Sequence, residues 1–128
     1  MILLVAAGTY VKLQQAYVSE TVAVGNWTII GYKGPGEQIS GKLESKTTNF
    51  TYQDGYTSYS NNTVALNTTK IKGFTVQNNT KLNDCGSAAD NWKVEVSKAT
   101  GSEGEAAFES TVATDCTSLT PNFSKIGK

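Results

Sequence analysis

Three tyrosines, Tyr52, Tyr56 and Tyr59, stand close together among Gln53, Asp54, Ser58, Ser60, Asn61 and Asn62. Exposed aromatic rings surrounded by short polar side chains can bind sugars. A ring face covers the C–H side of a pyranose, and amides and hydroxyls meet its hydroxyl groups. These tyrosines are therefore candidate surface contacts, and surface polysaccharide is the partner they imply. Ordinary packing of tyrosines at strand ends and loop bases is the competing explanation.

Other chemistry is harder to assemble. The chain has no His, so the commonest catalytic base and metal ligand is missing and no Ser or Cys triad of the usual kind can form. Only two Cys are present, too few with no His for a typical zinc site. Glu103 and Glu105 flank Gly104 and can approach Asp84, Asp90 or Asp115, but no loop repeats the alternating acidic pattern of a dedicated calcium site. A glycosidase carboxylate pair is set by space and leaves no mark in the sequence. Gly34-Pro35-Gly36 reads as a turn, since nothing helical follows it to cradle a phosphate. The expectation is a protein without catalytic residues, metal or cofactor, and not an enzyme.

Charge narrows the partners. Eleven Lys balance eleven acidic residues, and with no Arg and no net positive charge the chain lacks the footprint for nucleic acid. Cys85 and Cys116 read as a disulfide in an exported chain. If bridged, they close a loop of roughly thirty residues, worth about 3.5 kcal/mol on chain entropy. Two unrelated buried thiols in a cytosolic protein are the alternative. Six Asn-x-Ser/Thr sequons, at Asn26, Asn49, Asn61, Asn67, Asn78 and Asn122, follow from a composition rich in Asn and Thr.

The elements that must position these residues divide at Gly25. Before it, Leu3, Ala6, Tyr10, Leu13 and Tyr17 recur at helical spacing beside Leu4, Ala7, Val11 and Val18. Lys12, Gln14, Gln15, Ser19 and Glu20 fall mostly on the opposite side. The spacing predicts a helix over 1–24, ended by Gly25 and roughly 35 Å long. Ile2-Leu3-Leu4-Val5 opens it with no capping residue, which suggests a helix that continues upstream. Ile2 to Ala7 is too short an apolar run to span a bilayer.

After Gly25 the period changes to that of strands. Trp27 to Tyr32 reads as a strand stopped at Gly34-Pro35-Gly36, and residues 37–49 as a polar connection with room for a short strand. Phe50 to Tyr52, Val64 to Leu66 and the region of Phe74 and Val76 are further strand candidates. Trp92-Lys93-Val94-Glu95-Val96-Ser97-Lys98 alternates most clearly, with Trp92, Val94 and Val96 inward and Ala106, Phe108 and Val112 on its hairpin partner. Phe123 is expected to pack down at the end. The fold class is α+β: a single domain over 1–128, with a long N-terminal helix on an antiparallel sheet within a β-rich head over 26–128.

In layout the whole chain resembles the type IV pilin and pseudopilin family. The resemblance rests on the apolar helix through Val11-Lys12-Leu13-Gln14-Gln15-Ala16-Tyr17, the Gly25-Asn26-Trp27 lead-in to a sheet, and the Cys pair in the C-terminal third. It implies a pilin-like head whose disulfide-bounded loop, bordered by Leu82 to Cys85 and Asp115 to Pro121, faces out from a filament. It further implies that Leu3, Leu4, Ala7, Tyr10, Val11, Leu13 and Tyr17 pack the helix into that filament. The implied partners are copies of the chain and related pilins, and the inner membrane before assembly. The implied location is a pilus on the bacterial cell surface. The family's processed leader, with a Glu inside an apolar anchor, does not precede Leu3 in these residues.

Overall fold

A computed structural model describes residues 2–128. The first helix, α1, spans Ile2–Thr21, and its Leu3, Ala7, Tyr10, Gln14 and Val18 are fully buried at spacings of three and four. It stops earlier than its glycine predicts. Thr21 turns its hydroxyl back onto the Tyr17 carbonyl, and Val22 takes a left-handed φ of 57°, a conformation a β-branched residue adopts only at a cost. Gly25 instead lies in β1 (Ala23–Gly25), where a β-carbon would run into the Ile29 and Ile30 methyl groups.

Trp27–Ile30, expected as part of a strand, forms the short helix α2. Asn26 caps it, its side-chain oxygen accepting from the Ile29 amide at 3.0 Å, and Gly31 closes it at φ 77°. A short apolar run fits a buried helix turn as readily as a strand, and here the two caps decide.

The polar connection holds two short strands, β2 (Glu37–Gln38) and β3 (Glu44–Lys46), which lead into β4 (Phe50–Gln53). Then come β5 (Thr63–Ala65), β6 (Ile71–Asn78), β7 (Trp92–Lys98) and β8 (Ala106–Val112). The main sheet is antiparallel, in the order β2-β3-β4-β6-β7-β8, and β5 leaves it to pair with β1. Trp92, Val94 and Val96 are buried as their alternation predicts, opposite Val112, Ser110 and Phe108.

Helix α1 lies on this sheet over a cluster of rings. Tyr10 meets Tyr32 edge-on at 5.7 Å and Phe74 at 5.6 Å, and Trp27 meets Tyr32 at 4.8 Å. Tyr52 closes the cluster against Phe74 at 6.2 Å. Each buried ring contributes a few kcal/mol of transfer free energy on the scale of about 25 cal/mol per Å². Register slips in β6 between Lys72 and Phe74, at Gly73, and a β-carbon at Gly73 would overlap the Tyr10 hydroxyl. Helix and sheet therefore come close only because this residue is glycine.

Cys85 and Cys116 form a disulfide between the β6–β7 connection and a 3₁₀ turn at Thr114–Leu119. A second 3₁₀ turn, Phe123–Lys125, seats the fully buried Phe123. The molecule is thus α+β, an N-terminal helix over antiparallel sheet with one disulfide.

Candidate functional site

Two surfaces carry the residues singled out above. The first is a cleft of about 720 Å³ beside the end of β4. Asp54 leaves β4 with its backbone amide on the Leu43 carbonyl, which fixes where its side chain begins. One carboxylate oxygen accepts from the Trp27 amide at 3.3 Å, and the other accepts from the Tyr56 amide at 3.1 Å and the Tyr59 hydroxyl at 3.0 Å. Asp54 thus joins α2 to the 54–60 loop.

Burial pushes the Asp54 carboxyl up to about 7, and the Tyr56, Tyr59 and Trp27 donors pull it only part of the way back. The Tyr59 phenol is raised by burial first and then by the Asp54 charge. Near neutrality the site therefore holds a carboxyl that exchanges its proton.

The far wall is a tight turn. Asn61 and Asn62 both take left-handed backbone, at φ 53° and 69°, between Ser60 and Thr63, which exchange backbone hydrogen bonds at 2.8 and 3.2 Å. Asn accepts this conformation more readily than most residues, and two in succession make the tight two-residue hairpin turn. Asn26 pins the turn: its side-chain amide donates to the Asn62 side-chain oxygen at 2.9 Å, and its backbone amide to the Asn62 carbonyl at 2.9 Å. The cap of α2 and the cleft rim are one hydrogen-bonded unit.

Tyr56 and Tyr59 line the cleft, edge to face, with centroids 4.8 Å apart. Tyr52 does not join them. It is 0% exposed inside the aromatic cluster, because its place in β4 turns it to the helix side while Asp54 and the following loop leave the sheet. Of the three tyrosines expected as surface contacts, two reach the surface together and Tyr52 is core.

The second surface is the first turn of α1. Leu3, Ala7, Tyr10 and Val11 are buried against the chain's own sheet, and Leu4, Leu13 and Tyr17 are partly buried against the same core. The residues expected to pack the helix into a filament thus lie wholly or partly against the chain's own core. The apolar side chains that this first turn leaves uncovered are Ile2, 63% exposed, and Val5, 68% exposed, while Val22 and Ile29 are exposed elsewhere. Hollows flank them: one of about 310 Å³ toward Thr48, Phe50 and Tyr52, and one of about 470 Å³ toward Tyr32, Lys33 and Pro35. Among the described residues no helix is long and apolar enough to cross a membrane.

The acidic residues weighed for calcium disperse. Glu103 pairs with Lys98 at 2.8 Å and Asp90 with Lys72 at 2.6 Å. Among the described residues no three potential ligands gather to hold a metal ion. The chain matches no protein-family model, no curated protein and no solved structure.

Sequence reasoning missed the residue that ties helix to strand. Gln14, placed on the polar side, is 0% exposed. Its amide donates to the Gly25 carbonyl at 2.8 Å and to Tyr10 Oη at 3.0 Å, while its oxygen accepts from the Gly25 amide at 2.9 Å. The signal was there in the spacing: position 14 lies four residues after Tyr10 and four before Val18, both fully buried. Asn78 was likewise read only as a sequon. It is buried below the disulfide, donating to the Thr80 and Cys85 carbonyls and accepting from Asn91, so its amide nitrogen is committed to the fold.

Proposed function

We propose that this chain is the head of a structural filament subunit of the type IV pilin kind, exposed on a bacterial cell surface. In this role it is not an enzyme. Its partners are copies of itself and related subunits, and it is held at the inner membrane before assembly.

The observation that supports this best is the first turn of α1. Most of the helix is spent on its own sheet, but Ile2 and Val5 stand out in solvent between two apolar hollows. Exposed apolar side chains grouped on one helix end are the kind of surface that neighbouring subunits bury. The disulfide that staples the Cys85 region to the C-terminal turn agrees with a head built for an oxidising exterior.

The test uses cells that make the protein. Filaments sheared from the surface are purified and their subunits identified by mass spectrometry, for wild type and Val5→Lys. The chain is expected in the filaments, with Val5→Lys incorporated at least about 10-fold less. Because Val5 is exposed, the melting temperature of the purified variant should change by no more than about 2 °C. Absence of the chain from sheared filaments, or unchanged incorporation of the lysine variant, overturns the proposal.

A further inference from the structure

The cleft at Asp54 is not explained by assembly through the helix, since it lies at the end of β4 among loops. We infer that it is a binding site for a neutral oligosaccharide. This holds or fails separately from the filament proposal.

The walls fit that ligand class in three ways. The first is the pair of half-buried rings, Tyr56 and Tyr59, at one side of the cleft. A pyranose offers a face of weakly positive C–H groups, which pairs with the negative face of an aromatic ring. The second is the state of the polar side chains. Asn26, Asn62 and Asp54 are engaged in holding the cleft together. The side chains of Gln53, Thr57 and Asn61 line the same space and make no hydrogen bond to another described residue. Amides and hydroxyls both donate and accept, which is what sugar hydroxyls require.

The third is charge and size. Lys42 stands in the lining against Glu44 and Asp54, so there is no excess of positive charge to hold a phosphate, sulfate or uronate. A volume of about 720 Å³ falls within the range of roughly 300–1,000 Å³ usual for small-ligand sites. The site is also preorganised: the Asn61-Asn62 turn is pinned to the α2 cap and the 54–60 loop to Asp54, so little ordering remains to be done on binding.

The experiment is a ¹H–¹⁵N NMR titration of the disulfide-intact protein with maltotetraose, cellotetraose, xylotetraose and, as charged counterpart, tetragalacturonate. At least one neutral tetrasaccharide should shift the signals of Tyr56, Asn61 and the Gln53 side-chain amide saturably, with a Kd on the order of 1 mM or tighter. Tyr56→Ala should weaken that binding about 10-fold or more, and Tyr56→Phe by about twofold at most. Asn61→Gly keeps the left-handed turn but removes the amide, and should weaken binding several-fold even if Tyr56→Ala fails to fold. The proposal is overturned if no neutral tetrasaccharide shifts these signals at about 10 mM, if only tetragalacturonate does, or if binding survives both Tyr56→Ala and Asn61→Gly unchanged.

Discussion

The helix–sheet seam and the Asp54 cleft use the same residue types in opposite ways. In the seam, the polar atoms of Gln14, Trp27 and Tyr32 are buried and matched to backbone. Gln14 clamps Gly25, Trp27 Nε1 donates to the Gly73 carbonyl at 2.9 Å, and the Tyr32 hydroxyl donates to the Ala6 carbonyl at 3.0 Å. In the cleft, several polar side chains are left free and a carboxyl is held where burial disfavours its charge. Matched burial rigidifies a structure, whereas unmatched or strained polar groups persist where other contacts hold them in place. The contrast marks the seam as scaffold and the cleft as the surface available for recognition.

Cutting into the seam should have the largest effect. Phe74→Ala empties the centre of the ring cluster, where Phe74 faces Tyr10, Trp27, Tyr32 and Tyr52. It should cost about 3–5 kcal/mol in urea unfolding. Tyr56→Ala, a ring removed from the cleft, should cost under about 1.5 kcal/mol. Equal losses would erase the distinction between the two regions.

A smaller effect isolates hydrogen bonding. Gln14→Leu keeps the volume but strands the amide and carbonyl of Gly25, at a cost of about 2–3 kcal/mol. Gln53→Leu in the cleft leaves no buried partner unpaired and should change unfolding by under about 0.5 kcal/mol. A neutral Gln14→Leu would mean that water replaces the clamp.

The smallest effect is one of pH. Asp54 titrates near 3.9 when unfolded and at about 7 in the native chain. Between those values the native state binds more protons than the unfolded one, so this group's contribution is fully present below pH 4. It is lost as pH rises to 7 and is level above that. With discount for partial exposure, the difference between wild type and Asp54→Asn should shift by about 2 kcal/mol between pH 4.5 and 8. Urea midpoints of the two proteins at pH 4.5, 6 and 8 measure it. A flat difference would mean that the three donors hold the carboxyl at its ordinary value.

Much of the scaffold was legible. The helix and the alternating β7 with its partner β8 follow from periodicity, since burial on one face imposes a repeat of 3.6 or 2 along the chain. Phe123 was expected to pack down as the one aromatic of the tail. Gln14 and α2 were misread for physical reasons of opposite kinds. At Gln14, residue type suggested solvent while position put it under the sheet, where hydrogen bonds to Gly25 and Tyr10 made burial possible. At Trp27 to Ile30, composition suggested a strand, but Asn26 and Gly31 supplied the two ends of a helix turn.

The candidate cleft was half legible. Tyr56, Tyr59, Gln53, Asp54, Asn61 and Asn62 are neighbours in the chain, so their clustering was visible before any fold was known. Which of the tyrosines faces solvent was not, because that depends on where β4 ends and which of its faces meets the core: Tyr52 lies within the strand, Tyr56 and Tyr59 in the loop beyond it.

By itself, then, the sequence determined an N-terminal helix followed by a β-rich remainder, the absence of His and Arg, and a polar tyrosine-rich loop, since all of these are local or compositional. The Cys85–Cys116 disulfide was legible too, from a lone pair of cysteines. Only tertiary structure decided that Leu3, Ala7 and Tyr10 face their own sheet, and that Ile2 and Val5 are left exposed. It also decided that Asn26, far along the chain, closes the cleft over Asn62. Those outcomes depend on which distant surfaces bury one another, and pairings across tens of residues leave no period in the chain to read.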